Sequence, residues 1–233
     1  MALIRVERRG ETAVLVFARP PVNAFNLPFL AELDARIGEL VEDVPAGGVV
    51  VTGDGGAFSG GVDFKEVPGY SASERAQTIG HINAMVAALY GLPAATVAAV
   101  NGHAIGGAFV VMLACDTRLL AAGDARLGLT EVTAGIPYPA CAMEVVKAEL
   151  EPGIRRHLVM SGELIDPARA LANGIADELV SAESLVARAV ELARERSRAR
   201  SYAVVKRQLK GETLARMREI IDSSRDPMLE HWL

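Results

Sequence analysis

Two glycine turns hold the chemistry that this sequence offers. The first runs from Gly53 to Glu66, GDGGAFSGGVDFKE, and the second from Asn101 to Gly107, NGHAIGG. Each follows a short apolar run suited to a buried strand, Gly48 to Thr52 in one case and Ala94 to Val100 in the other. After Gly107 comes Ala108 to Ala114, apolar on every side and expected as a helix buried in the core. A strand, a glycine turn and a helix in that order aim backbone N–H groups at a ligand. The first N–H groups of a helix lack internal partners and sit at the positive end of its dipole. Glycine in the turn lets another molecule approach that backbone closely. The second turn has no phosphate-binding lysine, no GxGxxG and no nucleophilic serine or cysteine. A positive pocket without a nucleophile suits the developing oxyanion of a substrate carbonyl, and each of the two turns can present one N–H to it.

The remaining elements must bring those turns together. Ile4 to Arg8 alternates, turns at Arg9-Gly10-Glu11 and resumes from Ala13 to Phe17, which predicts a β-hairpin. Asn26 is placed to cap a helix over Pro28 to Val41, where Leu30, Leu33, Ile37, Leu40 and Val41 recur at helical spacing. A second helix is expected from Ala72 to Leu89, stopped by Gly91-Leu92-Pro93. Beyond Glu131, the segment Gly135 to Pro139 precedes a helix with Met143, Val145 and Val146. Helices follow over Ile154 to Met160 and Pro167 to Ala172, then a strand from Ile175 to Val180. From Ser184 to Leu214 the chain reads as charged helix, and Met217, Ile220 and Ile221 suggest a last packing helix.

Composition narrows the function classes. The chain has 233 residues, 51% hydrophobic and 23% charged, with net charge −5. That is enough for a substantial core, and the mild acidity argues against a nucleic-acid surface. Cys115 and Cys141 stand in apolar company and read as reduced, buried thiols. No apolar run reaches membrane-spanning length and no basic region leads into a hydrophobic N-terminal core, so a cytoplasmic protein without membrane contact is expected.

FSGGVDFKE and AAVNGHAIGGAFVVMLACD resemble the two signature segments of the crotonase superfamily, the enoyl-CoA hydratases and isomerases. RPPVNAFN, GLTE and SGELIDPARALANGIADELV match further segments, in family order from Arg19 to about Val180. The resemblance implies an α/β fold, a crotonase-type spiral of ββα repeats over residues 1–183. It also implies a C-terminal helical region, 184–233, packed at the interface of a homotrimer or dimer of trimers. The implied substrates are acyl-CoA thioesters. No metal or separate cofactor is implied, coenzyme A arriving as part of the substrate. Carried over by motif, the oxyanion hole is the N–H of Gly60 and the N–H of Gly107. Ser59, Asp63, Val110 and Tyr138 fall at the substrate-binding positions, with Asp63 bracing the first turn.

The acid/base residues then decide the reaction. Hydratases of this family carry one glutamate three residues after the second oxyanion glycine and another closing the GxxE segment. Here the first position is Val110 and the second is Glu131. Hydration asks two carboxylates to hold one water, whereas a single carboxylate suffices to move a proton from one carbon to another. This pattern resembles the Δ3,Δ2-enoyl-CoA isomerases, with Glu131 as the base. Glu144 is the rival carboxylate, and its place on a helix favours a solvated or paired role. His103, in the second turn, reads as structural. Among the basic residues of the tail, Lys206 or Arg207 is a candidate for the phosphates of coenzyme A, against the alternative of a solvated face. Three readings stay open: an isomerase, another crotonase reaction such as hydration or thioester or C–C hydrolysis, and a catalytically silent acyl-CoA-binding or interaction protein.

Overall fold

The computed structural model describes residues 2–224 and 226–232, so the outer ends of the expected 1–183 and 184–233 regions lie outside the described residues. The hairpin forms as expected: β1 (Ile4–Arg9) pairs antiparallel with β2 (Thr12–Phe17), Ile4 opposite Phe17. Helix α1 (Leu27–Glu42) starts where the Asn26 side chain accepts the N–H of Phe29. Three strand–strand–helix units follow. They are β3 (Val49–Gly53), β4 (Ala57–Ser59) and α2 (Ala72–Gly91); β5 (Thr96–Val100), β6 (His103–Ile105) and α3 (Gly107–Ala114); and β7 (Thr117–Ala121), β8 (Leu127–Gly128) and α4 (Glu131–Ala134). The chain continues through α5 (Ala140–Glu149), α6 (Pro152–Ser161), α7 (Pro167–Ala172) and β9 (Glu178–Val180). It ends in α8 (Leu185–Ser197), α9 (Tyr202–Ser223) and α10 (Pro227–Trp232).

In each unit the first strand joins a six-stranded sheet, in the order β1-β2-β3-β5-β7-β9, and the second joins a three-stranded sheet, β4-β6-β8. The chain therefore steps between two sheets once per unit, and the glycine turns after β4 and β6 end side by side on the smaller one. Strands of the larger sheet are parallel beyond the hairpin, and β3 and β5 at its centre are buried on both faces, which is why they read as nearly unbroken apolar runs. Their alternate residues divide between two clusters. Leu15, Val51, Val100 and Leu120 pack with Phe29, Leu30, Met85 and Phe109. Val14, Val50, Val97 and Leu119 pack instead against Leu185, Ala189 and Ala193 of α8.

The C-terminal region departs from expectation in three ways. The helix expected from Ser184 to Leu214 is two helices, α8 and α9, and Met217, Ile220 and Ile221 lie on α9 itself. Met217 is buried in the main core, with Ile220 packed beside it. The basic residues do not form one solvated face, because Lys206 and Lys210 are only 7% and 5% exposed. Both ammonium groups grip Asp116: Lys206 Nζ lies 2.8 Å from Oδ2 and Lys210 Nζ 2.8 Å from Oδ1. The Tyr202 hydroxyl and the Thr96 N–H also donate to Oδ2, at 3.1 and 3.0 Å. Burial acts to raise the Asp116 carboxyl, but the two lysines outweigh it and hold it below the usual carboxylate range. Burial in turn lowers Lys206 despite its partner. Lys206 is thus committed to the fold, while Arg207 stays exposed. Among the described residues no helix is long and apolar enough to cross a membrane.

Candidate active site

The first turn is shaped by the segment that precedes α1. Asn23 adopts a left-handed conformation, φ 51°, and its Nδ2 donates to the carbonyls of Asp54 and Ala57 at 3.0 and 2.9 Å. The Ser59 hydroxyl donates to the Asn23 carbonyl at 2.7 Å and accepts the N–H of Gly61 at 3.0 Å. Arg19 reaches Asp63 Oδ2 at 2.7 Å and Glu66 Oε1 at 2.5 Å. For Asp63, burial acts upward, yet Arg19 and the N–H groups of Lys65 and Glu66 bring its carboxyl below the ordinary value. These bonds correct one expectation: Ser59, expected at a substrate-binding position, is fully buried with its hydroxyl engaged and braces the turn, which Asp63, paired with Arg19, braces too.

Gly60 is corrected as well. Its N–H donates to the Val22 carbonyl at 2.8 Å and is not free for an oxyanion. The free amide in this turn belongs to Val62, which lacks a partner among the described residues. The cause is a parallel bridge between Phe25 and Val62: Phe25 N–H donates to Gly61 O at 2.7 Å and Asp63 N–H to Phe25 O at 2.9 Å. Such a bridge uses the groups flanking Val62 and turns its own N–H away. Gly61 brings the two turns into contact. At φ 77° it holds a backbone that L side chains rarely adopt, and a Cβ there would lie 2.3 Å from Ile105 O and 3.4 Å from Gly107 N.

On the second turn, Gly107 is the first residue of α3, so its N–H has no acceptor within the helix. The Gly106 N–H donates to Gly128 O at 2.8 Å, and β6 pairs with β8, Ala104 beside Leu127. That pairing carries Leu129-Thr130-Glu131 across to the turn. A Cβ on Gly106 would sit 3.4 Å from Glu131 Oε1, so the carboxylate lies against the Gly106-Gly107 backbone. Glu131 is only 7% exposed, and its Oε2 is closed off from solvent with no hydrogen bond. Burial is the chief cause that pushes this carboxyl up to about 7. Tyr138 packs nearby with its ring half-buried, and its hydroxyl is likewise closed off and unbonded. Val110, one helical turn along α3 from Gly107, is buried and offers no proton.

The rival groups are occupied. Glu144 pairs with Lys147 at 2.8 Å and Arg216 at 3.2 Å. His103 is exposed and its Nδ1 accepts the N–H of Arg126 at 2.9 Å. Cys115 and Cys141 are buried and free, as the sequence suggests. Among the described residues no cluster of three or more His, Cys, Asp or Glu side chains is placed to hold a metal ion. Sequence reasoning missed Val62, whose role hangs on a bridge to Phe25, and it missed the support behind Tyr138. There, Asp226 Oδ2 accepts the N–H of Ala140 at 2.8 Å and Asn83 Nδ2 at 2.7 Å, while Asn83 Oδ1 accepts the N–H of Cys141 at 3.0 Å. Two side chains remote in sequence thereby cap the start of α5.

A family model described as Enoyl-CoA hydratase/isomerase matches residues 7–227. The human protein Enoyl-CoA delta isomerase 1, mitochondrial, is 32% identical over 185 residues, 78% of this chain and 61% of its own length. Probable enoyl-CoA hydratase EchA17 of Mycobacterium tuberculosis is 33% identical over 184 residues, 78% of this chain and 69% of that protein. The chain thus spans somewhat under two thirds of the human relative. The crystal structure of human mitochondrial delta3-delta2-enoyl-CoA isomerase superposes with a TM-score of 0.88 at 28% identity, covering 99% of this chain and 90% of that one. The motif order, the two-sheet spiral and these matches agree, and the chain belongs to the enoyl-CoA hydratase/isomerase family of the crotonase superfamily.

Proposed function

We propose that this protein isomerises 3-enoyl-CoA thioesters to 2-enoyl-CoA, with Glu131 as its single acid/base. The thioester carbonyl accepts hydrogen bonds from the N–H groups of Val62 and Gly107. Glu131 takes a proton from C2, the electron pair moves onto the thioester oxygen as a dienolate, and the two amides stabilise that charge. The same carboxyl then returns the proton to C4, and the double bond closes between C2 and C3. Atoms balance, and no water enters. Two preorganised donors in a dry site each contribute roughly 3–4 kcal/mol to such a transition state.

The observation that carries this reading is the buried Glu131 carboxylate set against the Gly106-Gly107 turn, with Val110 where a second carboxylate would be needed to hold water. Its elevated ionisation, near 7, suits a base that must accept a carbon-bound proton and release it again. Relatives named for isomerisation and for hydration match at nearly the same identity, so the discrimination rests on Val110. The deciding experiment is incubation with 2- and 3-enoyl-CoA panels in heavy water, followed by mass spectrometry. Isomerisation with deuterium at C2 or C4 supports the proposal. Brisk formation of 3-hydroxyacyl-CoA would replace it with hydration, and release of free coenzyme A with hydrolysis.

A further inference from the structure

Two polar atoms in the site have no partner: Glu131 Oε2 and the Tyr138 hydroxyl, both closed off from solvent. They are neighbours, since each perturbs the other's ionisation. A buried hydroxyl and a buried carboxylate oxygen left unbonded beside one another are costly, and a small shift that brings the phenol O–H within hydrogen-bond reach of the carboxylate satisfies both at once. The position of Tyr138 is no accident of a loose loop. On one side, Ile136 N–H donates to Glu131 O at 3.1 Å, and on the other Asp226 and Asn83 hold the first N–H groups of α5.

Among the described residues no other ionisable side chain acts on Glu131. The second turn presents glycines, and His103 is turned to Arg126. Asp63 of the first turn is bound to Arg19. On α6, which packs against α4, His157 is tied to Glu163, Arg155 donates to the Lys147 carbonyl, and Arg156 is exposed. Glu144 of α5 is held by Lys147 and Arg216.

We propose that Tyr138 is a positioning residue for the base: its phenol O–H donates to Glu131 Oε2, holds the ionised carboxylate and keeps Oε1 facing the second glycine turn. A phenol fits the task because it donates a hydrogen bond while remaining protonated throughout the working pH range. Burial first, and the Glu131 charge second, push the Tyr138 hydroxyl further from ionising. The inference rests on the reading of Glu131 as the base.

The test is a titration of glutamate carboxyls by carbon-13 NMR in the wild type and Tyr138→Phe, with the Glu131 signal identified by its absence from Glu131→Gln. Phenylalanine keeps the ring that packs against the core. Losing the donor is expected to raise the Glu131 midpoint by roughly one pH unit. The rising limb of kcat/KM on 3-enoyl-CoA should move upward with it. Replacing tyrosine throughout by 3-fluorotyrosine, a stronger donor, should lower the midpoint. A midpoint that stays or falls in Tyr138→Phe overturns the inference, and so does a changed KM with an unmoved midpoint, which would make Tyr138 only a wall of the acyl site. If the midpoint rises but the wild type turns over no 3-enoyl-CoA, the positioning of Glu131 by Tyr138 stands and the isomerase reading fails.

Discussion

In the role proposed for it, Glu131 must be basic enough to take a proton from carbon and ionised often enough to be ready for it. Its burial supplies the first condition, and a carboxyl near 7 still meets the second at neutral pH. Activity should therefore rise with pH through about 7, as the carboxyl ionises, and a kcat/KM profile would display that limb. Glu131→Gln should lose roughly 10²–10⁴-fold in kcat while binding product with little change, measurable by calorimetry beside steady-state kinetics. The first turn allows a sharper contrast. A Cβ on Gly60 meets only Val22 at 3.5 Å, an ordinary contact, whereas one on Gly61 meets Ile105 O at 2.3 Å. Gly60→Ala should keep near-wild-type turnover, and Gly61→Ala should abolish it by forcing the two turns apart. Full activity in Gly61→Ala would remove the case for converging turns. The residue types of the site are legible in the chain; the free amide is not. Which of four consecutive N–H groups is unbonded depends on Val22 and Phe25, which reach the turn through the tertiary fold.

At the scale of elements, legibility follows distance along the chain. The Asn26 cap of α1 and the hairpin can be read directly, because each device and its partner are neighbours in sequence. The division of strands between two sheets, the cap that Asp226 and Asn83 place on α5, and the break between α8 and α9 rest on remote partners. Asp116 is the clearest case. It follows a buried apolar helix, and nothing local shows that two lysines of α9 close over it. Asp116→Ala would leave those ammonium groups buried without a counter-charge, at a cost of about 3–5 kcal/mol. Urea unfolding should show that loss, while Arg207→Ala, on the exposed side of the same helix, should stay within about 0.5 kcal/mol of wild type. Equal midpoints for the two variants would mean that the cluster does not hold α9 in place.

For the whole molecule, the spiral is the part most legible in advance, because motif order follows the order of the ββα units. A trimer or dimer of trimers is proposed for the assembly. Met217, one of the three apolar residues read in the sequence as a last packing helix, is consumed by the protomer's own core. Val204, Val205 and Leu209 of α9 remain exposed and are available to a neighbouring copy. Sedimentation at micromolar concentration is expected to show three or six protomers, and a monomer would count against the trimer. Keeping Glu131 out of water also burdens the folded state. Its carboxyl, ordinarily at 4.5, reaches about 7 when folded, so the native protein holds that proton more tightly than the unfolded chain does. Below pH 4.5 the group costs nothing; as pH rises from there to 7 stability falls, and above 7 the full penalty persists. The penalty is about 3 kcal/mol. Glu131→Gln, the variant expected to be inert, should then melt with the wild type near pH 4.5 and well above it at pH 8. The protein would be sturdier without the side chain to which we assign its reaction.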